Sequence, residues 1–188
     1  VFKQEGFDYF AEDNIVAADG LDKLANRDIK ANQLKIPTIS HHIYFTSNKN
    51  PKKLNAYYLE KIKASFNKLN AVGFRWQHYV WTNNPGVFPE EVRQIKGVKI
   101  KSIEEFQDHK LYSYLINAIE KGNNLKPYFS ESSDLLRFMA IQKFGGMYND
   151  MDYEIYNPEA LLKLMQEFDF LGGRETTKEF SYYASAFI

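Results

Sequence analysis

Apolar positions along the chain fall into blocks whose spacing alternates between that of a helix and that of a strand. Over residues 51–71, Leu54, Tyr57, Tyr58, Ile62, Phe66 and Leu69 form one stripe at helical spacing, with Lys52, Lys53, Lys61, Lys63 and Lys68 on the other side. Gly73 ends that helix, because a residue without Cβ takes the left-handed C′ conformation cheaply. Two stretches rich in β-branched and aromatic residues, 36–45 and 74–81, predict strands on either side of it. A turn at Asn83-Asn84-Pro85-Gly86, a short helix over 89–95, a strand over 98–103 and a helix over 104–120 follow. Upstream, Leu21, Leu24 and Ala25 lie at helical spacing, so residues 1–34 read as a helical segment that Pro37 keeps out of the next element. Strands alternating with helices through short turns predict an α/β sheet with a substantial parallel part. Ligands of such sheets bind beyond the carboxyl ends of the strands.

The densest pattern runs from Ser130 to Tyr156. The hydroxyls of Ser130, Ser132 and Ser133 suit a helix start, and a helix over 134–144 carries Leu135, Leu136, Phe138, Met139, Ile141 and Phe144 around most of its axis. Apolar all round, that helix should be buried, and Gly145-Gly146 stops it. Asp134 and Arg137 stand three apart on it. They form either an i,i+3 ion pair at a helix start or a pair facing a polar ligand, Asp accepting from hydroxyls and Arg donating to oxygens. After Met147-Tyr148-Asn149 comes Asp150-Met151-Asp152. Two carboxylates at i and i+2 on a strand point to one face and can act together on a hard cation such as Mg²⁺ or Mn²⁺. With ten aspartates in 188 residues one Asp-x-Asp is weak by itself, and the helix, glycine stop and brief strand give it context. A phosphatase of the haloacid dehalogenase type also uses Asp-x-Asp, but wants a longer hydrophobic strand before it.

Composition narrows the chemistry. Lys+Arg 24 against Asp+Glu 24 gives a net charge of +0, which excludes the overall basic field of a dedicated nucleic-acid binder. Cys 0 excludes disulfides, thiol nucleophiles and thiolate metal sites, so any metal here is held by oxygen or imidazole. A reducing compartment fits that count. The length suits one domain, no apolar run approaches the ~18 residues of a membrane span, and no signal-peptide pattern opens the chain. The lysine face of residues 51–71 reads as a solvated surface, with a phosphate or membrane patch as the alternative.

The block Ser133-Asp134-Leu135-Leu136-Arg137, then Phe144-Gly145-Gly146-Met147-Tyr148 and Asp150-Met151-Asp152, resembles the sugar-binding region of DXD-motif glycosyltransferases of GT-A fold. The large clostridial glucosylating toxins and related bacterial effector glucosyltransferases are the relatives it is similar to. Ile36-Pro37-Thr38-Ile39-Ser40-His41-His42-Ile43-Tyr44 resembles their first strand, typically Ile-Pro-Lys-x-x-His-x-x-Trp, and Tyr79-Val80-Trp81 with Asn83 their next. The resemblance covers residues 36–188 and implies a Rossmann-like nucleotide-sugar-binding half over 35–188. It implies Asp150 and Asp152 as ligands of Mn²⁺ or Mg²⁺ against the donor diphosphate, Asp150 also near the ribose and sugar. Asp134 and Arg137 would hold the hexose, and Ser133 and Tyr148 would line the nucleotide-sugar site. Tyr44 stands where the family has a Trp stacked on uracil. His41 and His42 cannot both face one site from a strand, and read as strand positions.

By the same resemblance the chain transfers a hexose, glucose from UDP-glucose, to a host protein with retention and metal dependence, as a secreted or injected bacterial effector in the host cytoplasm. Arg137 would place positive charge near the departing oxygens. The relatives' domain continues well past the DXD segment. The apolar ending Ala184-Ser185-Ala186-Phe187-Ile188 therefore reads as a cut within a catalytic domain, with acceptor surface and any membrane-associating part beyond it. A metal-dependent nucleotide-sugar hydrolase or pyrophosphatase, and a non-catalytic binding module, are the alternative functions.

Overall fold

The computed structural model describes residues 28–124, 129–168, 172–176 and 181–187. The expected helical segment over 1–34 lies outside them except for its end, where Ala31–Gln33 form a single 3₁₀ turn. Four strands, β1 (Ile39–Ile43), β2 (Gln77–Thr82), β3 (Val98–Ser102) and β4 (Met147–Tyr148), make one sheet in the order β3-β2-β1-β4. Every pairing in it is parallel. Parallel strands need crossovers on the sheet faces, and the chain supplies α1 (Ala56–Ala71), α2 (Glu90–Arg93), α3 (Tyr112–Asn124) and α4 (Phe129–Phe144). α5 (Pro158–Glu167) follows, then a separate antiparallel pair, β5 (Gly172–Thr176) and β6 (Ser181–Phe187).

Period-2 alternation sorts the sheet's side chains onto two covered faces. His41, Ile43, Tyr79 and Trp81 lie on one; Leu115, Leu136 and Met139 of α3 and α4 belong to the same buried cluster there. His42 and Val80 point to the other. Val80 packs there with Ile62 and Phe66 of α1 and Val92 of α2, while the His42 ring sits edge-on to Phe66 at 4.9 Å. A third cluster, Ile36, Leu69, Trp76, Met147, Leu162 and Met165, ties α5 to the amino-terminal end of the sheet. Both sheet faces are therefore dry, and three histidines are buried with them. Burial pushes His41 and His78 down to about 4 and His42 to about 3.

Element boundaries differ from the sequence reading where local polar contacts intervene. The expected helix over 104–120 is broken into a 3₁₀ turn, Ile103–Phe106, and α3. Ser102 Oγ accepts from Glu104 N–H to start the turn, and His109 Nδ1 accepts from Leu111 N–H where the chain restarts. α4 begins at Phe129, ahead of the expected start. Ser133 therefore sits inside it, its hydroxyl donating back to Phe129 O (2.9 Å) rather than capping. Nor is α4 buried all round: Phe138 is exposed, while Ser132, Leu136, Arg137, Met139 and Ala140 are buried. Among the described residues no helix is long and apolar enough to cross a membrane.

Candidate functional site

In the order β3-β2-β1-β4 the strand sequence reverses direction at β1, whose two neighbours are reached by crossovers in opposite senses. A crevice opens at the carboxyl ends of strands flanking such a switch point. β1 delivers Tyr44 to that end and β4 delivers Asn149 and Asp150. The two strands are brought unusually close by the double glycine. Gly146 has φ +87°, and a Cβ built on it would lie 2.3 Å from Ile39 O, so only glycine fits there. One further backbone bond, Asn149 N–H to His41 O (3.0 Å), carries the pairing to the threshold of Asp150.

Here the strand expectation for Asp150 and Asp152 is corrected. β4 ends at Tyr148, and the acidic pair sits on a turn closed by Tyr153 N–H donating to Asp150 O (3.2 Å). Among the described residues β4 is an edge strand of the parallel sheet, two residues long. Met151, between the carboxylates, is buried in the α1-side cluster and anchors the turn. Strand periodicity therefore does not hold the two carboxylates on one face. Asp152 is exposed, without an ion-pair partner among the described residues.

Asp150 is the organised member of the pair. Its Oδ1 accepts the Tyr148 hydroxyl proton and lies 4.0 Å from Arg137 Nη2. Burial first, and then the hydrogen bond to Asp150, raise the Tyr148 phenol far above its ordinary value, so it remains a donor at any physiological pH. Arg137, with a buried side chain, stacks its guanidinium over the Tyr148 ring at 4.3 Å and pairs Nη2 with Asp134 Oδ1 at 2.6 Å. The i,i+3 ion pair foreseen from sequence is thus present. It also forms part of a line Asp134–Arg137–Tyr148–Asp150, with the Asp134 side chain 56% exposed at its outer end.

The remaining expected residues stand apart from this line. Ser133 spends its hydroxyl on its own helix. Tyr44, half-buried, turns its ring edge to Phe88 (5.7 Å) and donates its hydroxyl to Lys52 O and Lys53 O (both 3.3 Å); burial raises its phenol. The lysine face of α1 is largely engaged with acids, Lys61 and Lys68 with Glu154 and Lys63 with Glu91, which favours the solvated-surface reading. A groove of about 1080 Å³ runs between α3 and α4 past Tyr114 and Phe138 and meets the line only at Asp134. Two residues near the site have roles that the sequence reading did not give them. Asn83 accepts from Thr46 N–H (3.1 Å) and donates to Thr46 O (2.8 Å), tying the β1 and β2 ends together. His41 is bonded on both ring nitrogens, which its position in a strand pattern does not reveal.

Among the described residues no three His, Cys, Asp or Glu side chains gather into a metal cage. The donor set is two hard carboxylates on one turn. That fits a divalent ion completing its shell with diphosphate oxygens and water, and does not fit a closed protein site.

The solved structure titled PaToxG Glycosyltransferase is similar at 19% identity and a TM-score of 0.45, covering 73% of this chain. The chain spans 51% of that one's length. No curated protein sequence matches. Residues 38–169, which include the whole parallel sheet, α4 and the acidic turn, match the family described as the glycosyltransferase sugar-binding region containing the DXD motif. With its four-stranded parallel sheet between helices, an α/β arrangement of GT-A type, the chain belongs to that family.

Proposed function

We propose that the protein binds a nucleotide sugar at the carboxyl ends of β1 and β4 and transfers its hexose to a protein acceptor. UDP-glucose is the proposed donor. The observation that carries this reading is the line Asp134–Arg137–Tyr148–Asp150 at the sheet's switch point, where acid, cation and hydroxyl are already mutually oriented.

Each residue has a task in that reaction. Asp134, the exposed end, accepts hydrogen bonds from sugar hydroxyls. Arg137 is packed on Tyr148 and cannot swing away, so its charge stays where negative charge grows on the leaving diphosphate. Tyr148, held protonated, fixes the rotamer of Asp150. Asp150 and Asp152 would hold Mn²⁺ or Mg²⁺, which when bound supplies Lewis-acid neutralisation of the diphosphate. Asp134 also keeps Arg137 directed when no donor is present.

Titration of the full-length protein with UDP-glucose, with and without Mn²⁺, tests this. Binding should tighten with the ion, and that gain should be lost in Asp150→Asn and in Asp152→Asn, with sugar appearing on the acceptor by mass analysis. Metal-dependent donor binding and transfer that survive the double substitution would overturn the reading. Release of free sugar beside a competent acceptor identifies a hydrolase instead, and binding indifferent to metal identifies a binding module.

A further inference from the structure

We propose that His41 is the positioning residue of the acidic turn, an inference that rests on the reading of Asp150 and Asp152 given above. Its ring is buried in β1 and bonded at both nitrogens: Trp81 Nε1–H donates to Nδ1 (3.0 Å), and Nε2 lies 2.8 Å from Gly145 O. An indole N–H can only donate, so Nδ1 carries no proton. The neutral ring's proton is on Nε2, which therefore donates to the Gly145 carbonyl. One side chain on β2 selects the tautomer that β1 uses to grip the segment before β4.

The same residue grips the segment after β4, through its backbone carbonyl and Asn149 N–H (3.0 Å). Gly145 and Asn149 bracket β4, and His41 pairs with Tyr148 between them. A two-residue edge strand has too few ladder bonds to fix its own register. Here a single residue of the neighbouring strand holds both of its ends, at Gly145 through the ring and at Asn149 through the backbone carbonyl, immediately before Asp150. Packing does not demand this. His42, next along the strand and equally buried, has neither ring nitrogen hydrogen-bonded. A histidine can thus fill this core with no side-chain bonds at all, while His41 bonds both segments that flank β4 and has its tautomer set by Trp81. The Asp150 carboxylate is set by Tyr148, Tyr148 by β4, and β4 by His41.

The test compares His41→Gln with His41→Asn in the full-length protein. Glutamine places an amide donor near the Nε2 position and can still reach Gly145 O; asparagine reaches only the Nδ1 position beside Trp81. The probes are UDP without metal, and UDP with increasing Mn²⁺. In His41→Asn the Mn²⁺-dependent affinity should fall about fivefold or more, the equivalent of one lost hydrogen bond, while metal-free UDP binding is unchanged. His41→Gln should recover most of the loss. Trp81→Phe keeps a ring in place but frees Nδ1 to take the proton, and should weaken Mn²⁺-dependent binding in the same direction. A merely structural histidine would lower the melting temperature in both position-41 variants and alter both binding modes alike. Wild-type Mn²⁺-dependent binding in a folded His41→Asn and in Trp81→Phe, or equal losses in the Gln and Asn variants, overturns the inference. Asp150→Asn in parallel separates the two claims: if it retains Mn²⁺-dependent binding, the reading of the site fails instead.

Discussion

Between pH 7 and pH 5 the protein should lose about 5.5 kcal/mol of stability through three buried histidines. His41 and His78 are held at about 4 and His42 at about 3, against 6.5 for the free side chain, in each case chiefly by burial. The sign follows from which state binds more protons. With depressed folded values the unfolded chain takes up protons as pH falls below 6.5, while the folded one does not until about 4 or 3. Stability is therefore full well above pH 6.5 and is lost progressively as pH falls through that value. At pH 5 each unfolded histidine is nearly fully protonated and favours unfolding by about 2 kcal/mol, some 6 kcal/mol for the three. Only about 0.5 kcal/mol of this is already present at pH 7. A loss of that size rivals the whole stability of many domains, ~5–15 kcal/mol. Urea unfolding at pH 7, 6 and 5, followed by fluorescence of the buried Trp76 and Trp81, measures it. His42→Leu isolates one contribution. Both its ring nitrogens are buried without hydrogen bonds, so leucine forfeits none. This variant should be more stable than wild type at both pH values, by about 2 kcal/mol more at pH 5 than at pH 7. A flat stability between pH 7 and 5, or a His42→Leu variant that loses its advantage at pH 5, would refute the reasoning.

Two glycines give contrasting expectations. Gly146→Ala meets Ile39 O at 2.3 Å and Ile39 Cβ at 2.8 Å, so β1 and β4 must part; thermal melts should show a loss of roughly 3 kcal/mol, and Mn²⁺-dependent donor binding should fall with it. Gly73→Ala, also at positive φ but with nothing within 4 Å of its Cβ, should cost only about 1–2 kcal/mol and leave donor binding intact. Arg137→Lys keeps the charge but loses the planar contact with Tyr148 and the fork shared with Asp134. Turnover measured with donor and acceptor should drop at least about tenfold, with the ion-pair partner still satisfied and the fold retained by circular dichroism.

The parallel sheet and its order of elements were legible because β1, β2 and β3 carry β-branched and aromatic runs and α1 a single apolar stripe. The pairing of Asp134 with Arg137 was legible from i,i+3 spacing alone. What sequence spacing could not supply was the shape of the acidic segment. Its strand character ends at Tyr148 because Asp150 O is claimed by Tyr153 N–H, and turn closure of that kind leaves no mark on hydrophobic periodicity. The early start of α4 was hidden for a similar reason: serines that look like caps can equally bond back into a helix, as Ser133 does. His41 shows the same limit from the other side. Its neighbour His42 has the same residue type and the same burial, and only the positions of Trp81 and Gly145, 40 and 104 residues away in sequence, separate an anchor from a filler.

That sequence distance also sets an order of events during synthesis. β1 finds β2 as soon as the first helical crossover is made, but its other edge has to wait for β4. At the usual ~5–20 residues per second, the roughly hundred residues between His41 and Gly145 take about 5–20 s to emerge. Throughout that interval β1 shows a row of unpaired backbone groups to other nascent chains and to chaperones. β4 closes that flank when it arrives and brings the acidic turn with it, so the step that completes the sheet is also the step that assembles the proposed donor site. On the function proposed above, acquisition of UDP binding by a ribosome-tethered chain would then report the closing of that sheet.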